Sequence, residues 1–203
     1  VDYKNPVDVN KLEQYIKNDN NFKYATVVHC DTPSGILNDV CSISSMLKKY
    51  NIMTVVDSVS ASFGEPLSMG DIDILCLGSQ KALSAPAGLT MIGVSDIAKK
   101  SMEERKTPIA SFYANIMTFK SYYEDKWFPY TMPIYDIYAL GQALENVMND
   151  REIFERHKKI ASAVRNAIFE SGLTLYTESG YSNTVTVINV PEGLCADEIV
   201  NEI

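Results

Sequence analysis

Residues 52–57 read IMTVVD, and residues 72–81 read IDILCLGSQK. Each stretch starts as a mainly apolar run of strand length and ends in polar residues. Such runs are typical of parallel strands that are covered on both faces, whereas strands with one solvent-exposed face alternate between apolar and polar residues. The runs Tyr24–His29 and Leu89–Val94 predict two more strands. We therefore expect an α/β protein with a mostly parallel sheet.

Helices are predicted on both sides of these strands. Asp8 can cap a first helix and Asn38 or Asp39 a second, because short polar side chains accept hydrogen bonds from the first helical N–H groups. Apolar residues recur at helical spacing over 96–105, 134–147 and 153–168. The sequence therefore predicts a sheet with flanking helices.

The C-terminal region has a different pattern. The helical pattern is interrupted near Asn149-Asp150. Apolar and polar residues then alternate over Leu173–Thr177 and Thr184–Val190, as in strands with one solvent-exposed face. We predict that residues 1–148 are part of a large domain. Residues 149–203 would form a linking helix and the start of a smaller α+β domain.

Composition limits the possible partners. Hydrophobic residues make up 46% of the chain and the net charge is −8, so nucleic acid is not an expected partner. No run approaches the roughly 20 apolar residues of a membrane span. The four cysteines and two histidines lack metal-ligand spacing, which predicts no metal site and a reducing, cytoplasmic location. The chain begins with Val1, so we expect an internal piece of a longer protein.

Polar groups follow three of the predicted strands. Thr32 comes after the first, Asp57 closes the second, and Ser79-Gln80-Lys81 follows the third. Ligands of open parallel sheets bind outside the carboxyl ends of the strands, so these groups should share one ligand site. His29, also at a strand end, is interpreted as a packed structural histidine.

This set of groups fits pyridoxal 5'-phosphate (PLP). That cofactor requires a lysine for its aldehyde, an anion for its ring nitrogen, and donors for its phenolic oxygen and phosphate. Lys81 is surrounded by small residues with no carboxylate beside it in sequence, which favours a nucleophilic amine. Asp57 can face the ring nitrogen, Thr32 the phenolic oxygen, and Ser79 and Gln80 the phosphate.

Several motifs resemble the class V aminotransferases, in particular the alanine–glyoxylate and serine–pyruvate branch. The similar segments are residues 29–37, 56–59, 78–83, 106–113 and 130–133. The resemblance implies a fold-type I PLP-transferase, a homodimer, and Lys81 as the catalytic residue that carries the cofactor. It also implies that Asp57, Thr32 and Gln80 contact the cofactor, and that Thr131 reaches the phosphate bound by the partner subunit.

Two positions depart from the family pattern. Phe128 replaces a tyrosine near the phosphate, and Asp31 replaces a glutamate.

The implied reaction moves an amino group between a small amino acid, alanine or serine, and a 2-oxo acid, glyoxylate or pyruvate. Alternatives are cysteine desulfurase or lyase chemistry on the same fold, or a non-catalytic α/β scaffold. Desulfurases usually have a histidine where Gln80 stands.

Overall fold

A four-stranded sheet forms the centre of the protein. The structure, a computed structural model, describes residues 2–202; residues 1 and 203, which the predicted domain ranges include, lie outside that description. In chain order the strands are β1 Tyr24–Val28, β2 Cys30–Asp31, β3 Ile36–Leu37, β4 Met53–Asp57, β5 Ile74–Gly78 and β6 Thr90–Val94. The sheet has the order β1-β4-β5-β6, and β2 and β3 form a separate hairpin. Strands β1, β4 and β5 are parallel and β6 is antiparallel to β5, which confirms a mostly parallel sheet.

Helices form where the sequence predicts them, and a 3-10 turn and a short C-terminal helix form in addition. They are α1 Val9–Asn18, α2 Val40–Lys48, α3 Asp96–Glu103, a 3-10 turn Ile116–Phe119, α4 Ile134–Asn149, α5 Ile153–Glu170 and α6 Ala196–Glu202. Asp8 caps α1, and of the two candidates for α2 it is Asp39 whose side chain accepts the Ser42 N–H. A buried cluster that includes Ile16 of α1 and Ile43 and Leu47 of α2 packs against β1. Within residues 2–202, no helix is long and apolar enough to cross a membrane.

One face of the sheet is much less covered than the other. Paired strand residues point to the same face, so the register places Val28, Asp57, Cys76 and Ile92 in one row. Val28 and Ile92 are exposed and Cys76 is half-buried, whereas Val56 on the opposite face is fully buried. Burial on both faces was predicted for all strands. That prediction is wrong for β1 and β6, because residues 2–202 cover the outer strands on one side only.

The predicted C-terminal strands do not form as strands. Leu175 and Ile188 make one isolated antiparallel bridge. Beside it, the Tyr176 N–H donates to Val187 O and the Asn189 N–H donates to Thr174 O, each at 2.9 Å. The Asn189 side chain also donates to Leu175 O. Backbone pairing is therefore too sparse for a ladder, and the strand prediction for 173–177 and 184–190 is wrong. The domain boundary near residue 149 stays a prediction.

The turn at residues 182–184 is attached to the rest of the protein by hydrogen bonds to the buried Glu65 carboxylate. Glu65 is 4% exposed and accepts hydrogen bonds from the backbone and side-chain amides of Asn183. Arg165 of α5 donates to Ser182 O at 2.9 Å. Because a buried carboxylate requires hydrogen-bond donors, these contacts fix the turn against the loop that follows β4.

Candidate active site

Three parallel strands bring their carboxyl ends to one edge of the sheet. Strand β1 ends at Val28, β4 at Asp57 and β5 at Gly78. Val28 pairs with Asp57, and Asp57 pairs with Cys76. Asp57 therefore occupies the middle of this edge, where ligands of open α/β sheets bind.

Asp57 is held by its backbone and by the turn that follows it. Its carbonyl oxygen accepts the His29 N–H at 2.8 Å. One carboxylate oxygen, Oδ1, accepts the Val59 N–H at 2.9 Å. The side chain is exposed, so the carboxylate keeps acceptor capacity for a ligand on the less covered face of the sheet.

A compact loop places Lys81 beyond β5. Ser84 N–H donates to Lys81 O at 2.9 Å, and Ala85 N–H donates to Ser79 O at 3.0 Å. Leu83 and Ala85 are buried against Ala143 of α4. The loop is therefore fixed on the protein while the Lys81 side chain is exposed. Among residues 2–202 no carboxylate forms an ion pair with Lys81.

The small neighbours of Lys81, which the sequence analysis relates to a nucleophilic amine, leave its side chain exposed. Those neighbours shape the loop instead. Ser84 has a φ of +63°, a conformation that costs a non-glycine residue about 1–2 kcal/mol. The described residues thus position the amine without enclosing it.

Ser79 and Gln80 differ in what they can offer a phosphate. Ser79 is buried, and its hydroxyl donates to Pro86 O at 2.6 Å and accepts from Leu89 N–H at 3.4 Å. This hydroxyl closes the Lys81 loop. Gln80 is exposed, and its Oε1 lies 2.8 Å from where a Cβ on Gly78 would be. Because Gly78 has no Cβ, it leaves room for the Gln80 side chain. The phosphate contacts proposed for Ser79 and for Gln80 stay predictions.

Thr32 belongs to the turn between β2 and β3 and reaches the loop after Asp57. Its Oγ1 lies 2.8 Å from Ser60 Oγ. The turn is closed by Gly35 N–H to Asp31 O at 2.8 Å, with Gly35 at a φ of +74°. Ser60 was not singled out in the sequence. Its place three residues after Asp57 was the only available signal.

Cys76 is a second residue that the sequence analysis did not assign to the site. It lies beside Asp57 in the same row of the sheet. Burial, and to a smaller extent the Asp57 carboxylate, raises the pKa of its thiol. The thiol is therefore held neutral.

Thr131 lies in a separate aromatic segment. It is exposed and its hydroxyl has no hydrogen bond within the described part of the chain. The Phe128 ring packs 5.7 Å from the Phe119 ring and 6.2 Å from the Tyr130 ring. The Tyr130 hydroxyl donates to Phe112 O and Tyr113 O. The aromatic cluster thus holds the segment next to Thr131, and no hydrogen bond joins Thr131 to the Asp57 edge.

The strand order and the strand-end groups define an α/β protein of the fold-type I PLP-transferase class, a fold shared with solved aminotransferases. Residues 1–199 match the family described as aminotransferase class-V. The chain belongs to that family.

Named relatives agree with this assignment. Pyridoxamine–pyruvate transaminase of Mesorhizobium japonicum is 30% identical over 201 residues, which are 96% of this chain and 51% of that protein. Alanine–glyoxylate aminotransferase of Callithrix jacchus is 30% identical over 185 residues, 86% of this chain and 45% of that protein. The crystal structure of pyridoxamine–pyruvate aminotransferase from Mesorhizobium loti has a TM-score of 0.91 and 30% identity, covering 97% of this chain and 52% of that one. The chain thus spans about half the length of these relatives.

Proposed function

We propose that the whole protein is a PLP-dependent aminotransferase that moves an amino group between a small amino acid and a 2-oxo acid. The observation that carries this proposal is the placement of Asp57 and Lys81 at the carboxyl ends of adjacent parallel strands, with Thr32 bonded to the loop after Asp57. The names of the relatives support alanine or serine as the donor class and glyoxylate or pyruvate as the acceptor class.

The chemistry of these groups fits PLP. Asp57 offers a carboxylate oxygen without a strong internal partner, and such an anion favours a protonated ring nitrogen. Thr32 and Ser60 form a hydroxyl pair, which can reorient toward a phenolic oxygen because hydroxyls both donate and accept. Lys81 offers an amine that no carboxylate of residues 2–202 neutralises. Anion, hydroxyl and amine lie on one sheet edge, as the cofactor requires.

Each residue then has one task in the proposed reaction. When bound, PLP supplies an electron sink for the bond that breaks at the substrate α-carbon. Lys81 holds the cofactor covalently in the resting enzyme. With the cofactor bound, the free Lys81 Nζ would act as the base that takes the proton from the substrate α-carbon, a role worth about 10²–10⁴-fold in rate. Asp57 keeps the proton on the ring nitrogen, and Gln80 contacts the phosphate.

We propose a homodimer in which Thr131 serves the partner's phosphate site. The surface around Thr131 supports this assembly because it is rich in exposed aromatic side chains. The most exposed are Phe112, Tyr113, Tyr123, Tyr135 and Tyr138. Exposed apolar patches of this kind mark interaction sites, and aromatic residues are enriched in interfaces. We also propose a cytoplasmic location, supported by four free cysteines.

The covalent link to Lys81 tests the proposal directly. The full-length protein is incubated with PLP and reduced with borohydride, and the modified peptide is located by mass spectrometry. We expect one adduct, on Lys81, and none after Lys81→Ala. Lys99→Ala is the matched control, because Lys99 is an exposed lysine on α3 without an ion pair. An adduct that survives Lys81→Ala at another specific lysine would refute the assignment.

The reaction is tested separately. Transfer of the amino group from alanine or serine to glyoxylate is followed by the formation of glycine. We expect turnover by the wild type and its loss in Lys81→Ala. Release of sulfide from cysteine without amino transfer would instead indicate desulfurase chemistry, and absence of any adduct would indicate a scaffold.

A further inference from the structure

We propose that His29 is a positioning residue for Asp57 and acts through Ser58. This inference rests on the proposed function, since it concerns the carboxylate assigned to the ring nitrogen. The sequence interpretation treats His29 as packing only. The structure shows contacts on both sides of the Asp57–Ser58 peptide that packing alone does not require.

The backbone of His29 fixes the end of β4. His29 is the residue after β1 and is 5% exposed. Its N–H donates to Asp57 O at 2.8 Å, and its own carbonyl accepts the Asn38 N–H at 2.8 Å. The histidine is therefore held between the Asp57 carbonyl and the segment that leads into α2.

The imidazole of His29 holds the next residue. Its Nδ1 lies 2.8 Å from Ser58 Oγ. Ser58 is fully buried, its N–H donates to Cys76 O, and its hydroxyl oxygen accepts the Ser62 hydroxyl at 2.7 Å. Because Ser62 donates to Ser58, the Ser58 hydroxyl hydrogen is available to Nδ1. In the proposed chain of donors, Nδ1 accepts this hydrogen and the ring proton lies on Nε2.

The ring is uncharged in this arrangement. Burial lowers the pKa of His29, and the more distant charge of Asp39 opposes this shift. A neutral ring with an accepting Nδ1 can use the Ser58 hydroxyl as a donor. Without that acceptor, the buried Ser58 hydroxyl would keep the hydrogen bond from Ser62 but would lose the acceptor for its own hydrogen, which is costly.

These contacts determine where the Asp57 carboxylate points. The Asp57 carbonyl and the Ser58 hydroxyl are both bonded to His29, while Asp57 Oδ1 accepts the Val59 N–H. The turn over residues 57–59 therefore has two supports from His29, one from its backbone and one from its side chain, in addition to the Ser58 N–H bond to Cys76 O. Loss of the imidazole removes one support and lets the Asp57 carboxylate move relative to the cofactor ring.

The test uses the full-length enzyme loaded with PLP. The variants are His29→Leu and His29→Asn, because the Asn amide oxygen can accept near the position of Nδ1. PLP affinity is measured by titration, and the visible band of bound cofactor is followed as a function of pH. We expect His29→Leu to weaken PLP binding about 3- to 10-fold and to shift the pH midpoint of the visible band. His29→Asn should restore most of both.

Two controls separate positioning from general destabilisation. Thr54→Val alters a buried side chain on the opposite face of β4 and should lower stability without shifting the visible band. In an Asp57→Asn background, His29→Leu should have no further effect on PLP affinity. An undiminished effect in that background, or an equal band shift in Thr54→Val, would overturn the proposal.

The test also distinguishes this inference from the proposed function. If the wild type holds no cofactor on Lys81, both fail. If it does and His29→Leu has wild-type affinity and spectrum, only the positioning role fails. Should His29→Leu not fold, Ser58→Ala removes the same hydrogen bond with little change in volume and carries the same expectations. The ¹⁵N shifts of His29 in the cofactor-free protein should show an unprotonated Nδ1, and a protonated Nδ1 would contradict the proposed chain of donors.

Discussion

Gly64→Ala should loosen the attachment of the 182–184 turn. A Cβ at position 64 would lie 2.2 Å from Thr184 Cγ2 and 3.1 Å from His157 Cδ2. Gly64 does not have a positive φ, so the alanine backbone itself is unstrained. The whole cost therefore comes from the collision, and the imidazole can relieve its part by a small shift.

The Thr184 side of the collision cannot be relieved so easily. Thr184 N–H donates to Ser182 Oγ at 3.0 Å, and Asn183 next to it is bonded to the buried Glu65 carboxylate. Overpacking of this kind costs about 1–3 kcal/mol. Displacement of the turn also leaves Glu65 short of donors, which costs about 1–3 kcal/mol. We expect Gly64→Ala to lower the free energy of unfolding by about 2–6 kcal/mol, the sum of these two contributions.

Urea denaturation followed by circular dichroism measures this change. Thr184→Ser removes Cγ2 and keeps the hydroxyl, so Gly64→Ala combined with Thr184→Ser should recover most of the lost stability. Gly141→Ala is the matched control, because Gly141 is exposed in α4 with nothing within 4 Å of its Cβ position. It should stabilise the protein by about 0.5–1 kcal/mol. If Gly64→Ala is as stable as the wild type, or if Thr184→Ser does not rescue it, the packing argument is refuted.

Three further changes have expected outcomes. Ser84→Gly should raise stability by up to about 1 kcal/mol, because glycine adopts the φ of +63° without strain but loses more entropy on folding; thermal melts check this. Asp39→Ala should cost about 0.5–2 kcal/mol through loss of the α2 cap. Hydrogen bonds from Ser42 lower the pKa of Asp39, so its contribution is present above the unfolded-state pKa and is lost as the pH falls through the folded pKa. The cost of Asp39→Ala should therefore shrink in melts at acidic pH. Gly78→Ala should displace the Gln80 side chain, since the new Cβ would lie 2.8 Å from its Oε1, and PLP titration should show weaker binding if Gln80 contacts the phosphate.

The sheet was predictable because its strands carry their own pattern. The apolar runs that end at Val28 and Asp57 need no knowledge of distant residues to be recognised. The C-terminal segment shows the limit of this reasoning. Residues 184–190 alternate like a strand, yet their backbone makes one isolated bridge, from Ile188 to Leu175. Alternation indicates two faces but does not say whether a partner strand is in reach.

The site was predictable only where strand ends determine position. Asp57 and Lys81 follow β4 and β5, and parallel strands bring such residues to one edge. The hydrogen-bond partner of a hydroxyl depends on tertiary contacts, which no local sequence pattern encodes. Ser79 uses its hydroxyl inside the Lys81 loop, and Ser60 reaches Thr32 across a turn. His29 was interpreted as a packed histidine, but its link to Ser58 joins the residues that follow two different strands and could not be predicted from either segment alone.

The position of Asp57 within its row gives a physical reason for the proposed cofactor contact. The neighbours of Asp57 across the sheet are Val28 and Cys76, with Ile92 beyond, so a carboxylate stands among apolar and neutral side chains. The Asp57 side chain is exposed, and a ligand that covers this row would remove the carboxylate from water, which is very costly unless the ligand supplies a cation. Within residues 2–202 no cation pairs with Asp57. A planar ring with a protonated nitrogen could satisfy both requirements at once, because it can cover the apolar neighbours and supply the missing positive charge.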